Sequence, residues 1–433
     1  MPPWAWTSGL SFKRSKSFCW GGARNDTSNH GRVRESNRSG TGSPDQQRAF
    51  RSAKNGRSYM RYLFWLAAAL IAYTYLGYAC WLRVRMLWRS RPIQRGLATP
   101  LVSIAMVVRN EEQVLETKLR NLMELDYPAD RCQIVVVSDG STDQTESILR
   151  AYGSDARIHI VLNQLAQGKA GGLNDAIDVA QGEIVVFTDA RQIIEPQAVR
   201  LLAENFADPA VGCVSGELML GDAGQTESTQ GLSLYWRIEK VVRKLEAASG
   251  SVVGATGALY AVRRELLTRV PPGTILDDVY LPMQVVRQGK RVVLDERARA
   301  WDHPDLGTER EFSRKVRTLS GNYQLLQLAP WLLSGTNPIR FEFVSHKLLR
   351  LAVPFALVVL LAASFAIRAP FYRVALILQL VFYSLSVLAI GRWIKGGILA
   401  RVADAAGTFV LLNGAAVVAL ANFVGGRRAA WTR

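Results

Sequence analysis

Cysteine is scarce and scattered in this chain. Cys19, Cys80, Cys132 and Cys213 show no paired spacing, which excludes a disulfide framework or a zinc knuckle and suits a domain facing a reducing compartment. A Walker A loop is also missing. Residues 167–174 read Gln-Gly-Lys-Ala-Gly-Gly-Leu-Asn, which is not Gly-x-x-x-x-Gly-Lys-Ser/Thr. No nucleic-acid-binding motif accompanies the net charge of +17, so nucleic acid is set aside as a partner. Residues 1–61 hold 12 Lys/Arg against 3 Asp/Glu, about half of the excess. Basic residues flanking apolar segments account for much of the rest.

Long apolar runs are what the chain does have. Residues 62–82 are uncharged and 21 long, enough to span a bilayer, and carry Trp65, Tyr73, Tyr75, Tyr78 and Trp81, aromatics suited to its interfaces. Residues 351–367, 374–390 and about 405–425 form three further runs, the first two short enough to be tilted or re-entrant. Before them, residues 311–333 mix Arg314, Lys315 and Arg317 with Phe312, Val316, Leu319 and Trp331, an amphipathic pattern for a membrane surface. Residues 1–59 lack periodicity and are expected to form a basic tail without a core. Met60, just before the first run, is a candidate initiator. A native N-terminal peptide mapping upstream of it would contradict that. Arg83, Arg85, Arg89, Arg91 and Arg95 follow the first run, and with a start near Met60 the charge bias places the next domain in the cytoplasm, whereas with the basic tail included the rule favours neither side.

Between the membrane segments, strand-like and helix-like patterns alternate. Residues 101–108, 134–138, 158–162, 184–187 and 211–215 read as strands. Residues 111–125, 142–152, 169–180 and 196–206 read as helices. The alternation predicts an α/β domain with a mostly parallel sheet. The expected organisation is a tail over 1–59, a span over 60–83, the α/β domain over 98–306, an interfacial segment over 307–345 and about three membrane helices over 346–433.

Ligands of an open α/β sheet gather beyond the carboxyl ends of its strands, and four motifs fall there. Asn110-Glu111-Glu112 follows the first strand and favours the positive end of a helix dipole; a carboxylate there can also bind ribose hydroxyls. Ser138-Asp139-Gly140-Ser141-Thr142-Asp143 turns a strand into a helix, with Asp139 placed to accept a hydrogen bond from a base. Lys169 opens a helix, which is poor for the dipole but good for meeting a phosphate. Thr188-Asp189-Ala190-Arg191 ends the strand 184–187, where a carboxylate can cap the next segment or hold a metal.

The order of these motifs resembles family 2 of the inverting glycosyltransferases, over about residues 101–329. In layout the chain is similar to the membrane synthases of cellulose, hyaluronan and poly-N-acetylglucosamine. The resemblance implies a GT-A fold and a nucleotide-sugar donor, most often UDP-linked. It implies Asp139 at the nucleobase, Glu112 near the ribose, Lys169 at the nucleotide or pyrophosphate, and Asp189 as the first acid of an Asp-x-Asp holding Mg²⁺ or Mn²⁺. Arg191 stands where the second acid is usual, so it either leaves the metal to other ligands, His303 among them, or itself pairs with the diphosphate.

Further on, residues 251–262 carry Gly254, Thr256 and Gly257, small residues that let a substrate approach the backbone, as on the family's acceptor side. Asp277 and Asp278 sit at the family's Glu-Asp positions. Asp278 is the candidate base, taking the acceptor hydroxyl proton, with Asp277 on the acceptor side. Arg314-Lys315-Val316-Arg317-Thr318 occupies the place of Gln-x-x-Arg-Trp, with Arg317 the cation for the departing diphosphate. Thr318 replaces the tryptophan, which counts against a processive mode.

These features together lead to an integral membrane enzyme of the bacterial inner membrane. It would pass a sugar to a saccharide or lipid-linked acceptor beside membrane lipid. No partner subunit is indicated by the sequence. The rival readings are single transfer to a polyprenyl phosphate or glycolipid, and a non-catalytic nucleotide-sugar-binding partner.

Overall fold

A computed structural model describes residues 44–221, 234–302, 308–394 and 396–426. By its contacts the chain forms two units, Met1–Ala53 and Lys54–Arg433. Of the first, only the start of a helix, Pro44–Ala72, is described. That start lies inside the stretch expected to lack structure. Everything below concerns the second unit.

Runs of Val and Ile that bury both faces make central strands, and the chain supplies several. The strands are β1 (Val102–Val108), β2 (Cys132–Asp139), β3 (Ile158–Asn163), β4 (Ile184–Thr188), β5 (Ile193–Ile194), β6 (Val211–Leu220), β7 (Leu259–Arg263) and β8 (Arg291–Asp302). They form one sheet in the order β3-β2-β1-β4-β7-β6-β8-β5. β1 pairs in parallel with β2 and β4, β2 with β3, and β6 with β8. β7 runs against β4 and β6, and β5 against β8. The sheet is therefore mostly parallel, as the alternation predicts. Every residue of β1 is buried, and one apolar cluster covers each face.

Helix Glu112–Met123 shows how these faces are filled. Leu115, Leu119 and Leu122 are at most 1% exposed, each contributing about 1.5–3 kcal/mol of burial. On the opposite face helix Lys169–Val179 packs close, because Gly172 has no side chain: a methyl there would stand 2.6 Å from Val107 Cγ1. Phe187 of β4 and Tyr260 of β7 stack with centroids 4.8 Å apart, worth about 0.5–1.5 kcal/mol beyond their area.

Four helices among the described residues are long and apolar enough to cross a membrane: Ser58–Met86, Arg340–Ala366, Pro370–Ile390 and Gly397–Val424. The second starts 11 residues before the expected position, so its length no longer suggests a short or re-entrant segment. Arg340, His346, Lys347 and Arg350 hide that start in the sequence. Helix Leu234–Ser249 supplies acids for two of them: His346 meets Glu239 and Glu246, and Arg350 meets Glu239. Two π-helical turns, Tyr73–Gly77 and Val344–Leu348, interrupt the first two of these helices. They meet through Tyr73 Oη and Ser345 Oγ at 2.9 Å.

Candidate active site

The carboxyl ends of β1, β2 and β4 carry the expected motifs to one edge of the sheet. Asn110 adopts a left-handed backbone, φ 53°, which lets its side-chain oxygen accept from Thr142 N at 2.8 Å. Glu112 Oε2 accepts from Gln144 N at 3.0 Å, while Asp143 Oδ2 accepts from Glu112 N at 3.2 Å. The loops after β1 and β2 are thus locked together. Asp139 is fully buried. Its two oxygens accept from Gln167 N at 2.7 Å and Gly168 N at 2.9 Å. It therefore fastens the loop that presents Lys169.

Lys169 begins its helix and reaches across the sheet edge. Its Nζ stands 3.0 Å from Asp189 Oδ1 and 3.3 Å from Asp277 Oδ2. Burial pulls its pKa down, but Asp189, Asp277 and Asp278 more than reverse this, so the ammonium is held well above its ordinary value. Asp277 and Asp278 open helix Asp277–Arg287, where the dipole favours acids. Asp277 is spent on Lys169. Asp278 has no cation in an ion pair among the described residues. Burial, then the neighbouring Asp277 charge, push its carboxyl up to about 6.

Gly257 forms the floor between the two facing acids. A methyl on it would stand 3.3 Å from Asp278 Oδ2 and 3.8 Å from Asp189 Oδ2. The turn carrying it is held from both sides. Ala255 N donates to Asp278 O at 2.7 Å and Thr256 N to Ser215 Oγ at 3.0 Å. Gly254 has φ 91°, which favours glycine. Arg243, from helix Leu234–Ser249, donates to the same Ser215 Oγ at 2.7 Å.

Helix Thr308–Leu328 packs against the segment that leads into Asp277. Gly321 presses on Leu276, a methyl there meeting Leu276 Cγ at 2.5 Å, and Gln324 Oε1 accepts from Ile275 N at 2.9 Å. Arg317 lies one turn before Gly321 on that face and is half-buried. Thr318 turns back on its own helix, its Oγ1 donating to Arg314 O at 3.0 Å. Arg191 is exposed, and no ion pair to it exists among the described residues. His303 lies outside the described residues.

A hard divalent cation suits carboxylate oxygens, and the cradle over Gly257 presents them from Asp189 and Asp278. Among the described residues no group of three His, Cys, Asp or Glu could hold a metal. Asp189 thus fits as one protein ligand of a metal whose other ligands come from a bound diphosphate and water.

Two structural contributors escaped the sequence reading. Lys118 is fully buried under the Asp189 turn, donating to Thr188 Oγ1 at 3.0 Å and Gln192 O at 2.6 Å. Burial pulls its pKa to about 7, against the Asp189 carboxylate, which raises it. Its signal was legible: Lys118 interrupts the apolar stripe of Leu115, Leu119 and Leu122. Arg243 gave no such signal, because only the tertiary fold brings it to Ser215.

The mixed, mostly parallel sheet with acids and a lysine at its carboxyl edge defines a GT-A domain. Over residues 103–270 the chain matches the model of glycosyl transferase family 2. It is 28% identical over 205 residues to the beta-monoglucosyldiacylglycerol synthase of Nostoc sp., covering 46% of this chain and 44% of that one. It is 22% identical over 229 residues to the poly-beta-1,6-N-acetyl-D-glucosamine synthase of Staphylococcus aureus, covering 52% and 55%. The chain thus spans about half the length of the curated relatives it matches. Among solved structures, a mannosyltransferase of Pyrobaculum calidifontis, in complex with GDP-Man and Mn²⁺, superposes with a TM-score of 0.65 at 23% identity, covering 84% of this chain and 99% of that one.

Proposed function

We propose that this protein is a membrane-anchored inverting glycosyltransferase that moves a sugar from a nucleotide-sugar, UDP-linked, to a saccharide or lipid-linked acceptor. The observation that carries the reading is the division of labour between adjacent acids. Asp277 is paired to Lys169, while Asp278 has no ion pair among the described residues, has a raised pKa, and faces Asp189 across Gly257. That is what a single displacement needs from its base. Asp278 takes the proton of the acceptor hydroxyl. The oxygen attacks the anomeric carbon as its bond to the diphosphate oxygen breaks, and the electron pair leaves with the diphosphate.

The donor's nucleoside lies beside the loops after β1 and β2, near Glu112 and Asp139, whose oxygens keep lone pairs beyond the amides they already hold. Its diphosphate lies beside Lys169 and Asp189, with Arg317 as a further cation. Asp189 would hold Mg²⁺ or Mn²⁺, which offsets charge on the leaving diphosphate. Residues 254–257 and Asp277 border the acceptor.

The basic residues after the first apolar helix speak for a catalytic domain on the cytoplasmic face of a bacterial inner membrane, with the four apolar helices spanning it. A second reading, one sugar per lipid acceptor, is favoured by Thr318, which is bonded to its own helix where a stacking ring would serve a growing chain. The Nostoc relative's name also speaks for a lipid acceptor. The test is a panel of UDP- and GDP-sugars offered to purified membranes with mass analysis of products. A ladder of oligosaccharides supports the polymerising reading and one adduct the second. No transfer from any donor contradicts both.

A further inference from the structure

We propose that Lys118 is a positioning residue of the donor-diphosphate site, holding the Asp189 turn from beneath with a buried ammonium. The inference rests on the donor reading above and assigns a role to a residue outside the family motifs. β4 ends at Thr188, which pairs with Leu259 of β7, and residues 189–192 then leave the sheet before β5 begins at Ile193. Lys118 ties both of its ends, Thr188 through the hydroxyl at 3.0 Å and Gln192 through the carbonyl at 2.6 Å. Between those two points stand Asp189, Ala190 and Arg191. Thr188 Oγ1 in turn donates to Ala258 O at 2.9 Å, so the clamp extends to the residue beside the Gly257 floor.

One turn along the same helix, Asn121 grips the next segment. Its Nδ2 donates to Ile194 O at 2.8 Å and its Oδ1 accepts from Ile194 N at 2.9 Å. Asn121 shows that a neutral amide is enough to hold backbone from this helix face. A lysine at 118 adds something an amide does not: a group at 0% exposure that carries positive charge below about pH 7, under the acid that meets the diphosphate. Removing an ammonium from water is costly, and such groups cluster at functional sites. Its field favours the extra negative charge of a second phosphate. Lys118 touches neither, so it acts through the turn.

The experiment compares nucleoside diphosphate and monophosphate binding by calorimetry in the full-length detergent-solubilised protein, with UDP/UMP and GDP/GMP as probes and Mn²⁺ present. Wild type is expected to bind one diphosphate more tightly than its monophosphate. In Lys118→Gln that advantage should fall about tenfold, with monophosphate affinity unchanged. Thr188→Val, which keeps the shape and the charge but removes one anchor, should lose about threefold of the same advantage, and serves if Lys118→Gln does not fold. Equal loss for both nucleotides would show a merely structural lysine and overturn the inference. So would an unchanged advantage in either folded variant. A wild type that binds none of the four overturns the donor reading, and the inference with it.

Discussion

His346 Nδ1 lies 2.8 Å from Glu246 Oε1, joining an apolar helix to the catalytic domain through a fully buried carboxylate. Glu246 does more than pair. Its Oε1 also accepts from Tyr78 Oη at 2.7 Å, and its Oε2 accepts from Val253 N at 3.3 Å. Two apolar helices and the start of the turn carrying Gly254 and Gly257 thus meet on one acid. On the other side of His346, Glu239 is pushed up by burial but pulled well below the usual carboxylate range by Arg350 and His346. Removing one partner from such a cluster leaves charge buried and uncompensated. Glu246→Ala is expected to lower stability by about 3–5 kcal/mol, read as a fall in the unfolding temperature of solubilised protein. Tyr78→Phe should cost less, about 1.5–3 kcal/mol. Unchanged melting in Glu246→Ala would contradict the junction.

The raised pKa of Asp278 fixes the direction of one pH limb. A base works only when ionised, so transfer should fall as pH drops through the folded value of about 6. At pH 5 the ionised fraction is about a tenth, and kcat/KM should be down about tenfold from its plateau. A limb near the ordinary aspartate value would remove the burial and Asp277 arguments.

Gly257 and Gly254 separate function from stability. Gly257 carries an ordinary backbone, so alanine fits the chain but places a methyl between Asp278 and Asp189. Gly257→Ala should reduce kcat/KM about a hundredfold with near wild-type melting. Gly254→Ala forces a side chain into φ 91° and within 2.9 Å of Val279 Cγ2, and should cost about 1–2 kcal/mol. Thermal melts and initial rates on both proteins check the contrast.

Much of this was legible in the chain, and particular residues show why the rest was not. The runs ending in Val108, Asp139 and Thr188 are local, continuous and apolar, so strand, turn and site edge follow from sequence order. Lys169 stood out because a lysine at a helix start is wrong for the dipole unless something negative meets it; Asp189 and Asp277 do. The helix beginning at Arg340 was hidden because its charges are neutralised by Glu239 and Glu246 about a hundred residues away. β7, which begins two residues after Gly257, and β8 pair across long separations that no periodicity reports.

Arg191, exposed beside Asp189, makes the metal requirement testable. Arg191→Asp restores a second acid to the turn. With the diphosphate as the main remaining ligand set in wild type, the variant should reach half-maximal activity at about tenfold lower Mn²⁺. Equal Mn²⁺ titrations for the two proteins would instead assign Arg191 to the diphosphate itself.

The most direct measurement is sugar transfer by Asp278→Asn beside wild type, with nucleotide affinity determined on the same preparations. The expected result is transfer reduced by about a factor of a thousand or more and nucleoside diphosphate affinity within about threefold of wild type. Wild-type turnover by Asp278→Asn would contradict the assignment of the base, and with it the mechanism built on Asp278, Gly257 and Asp189.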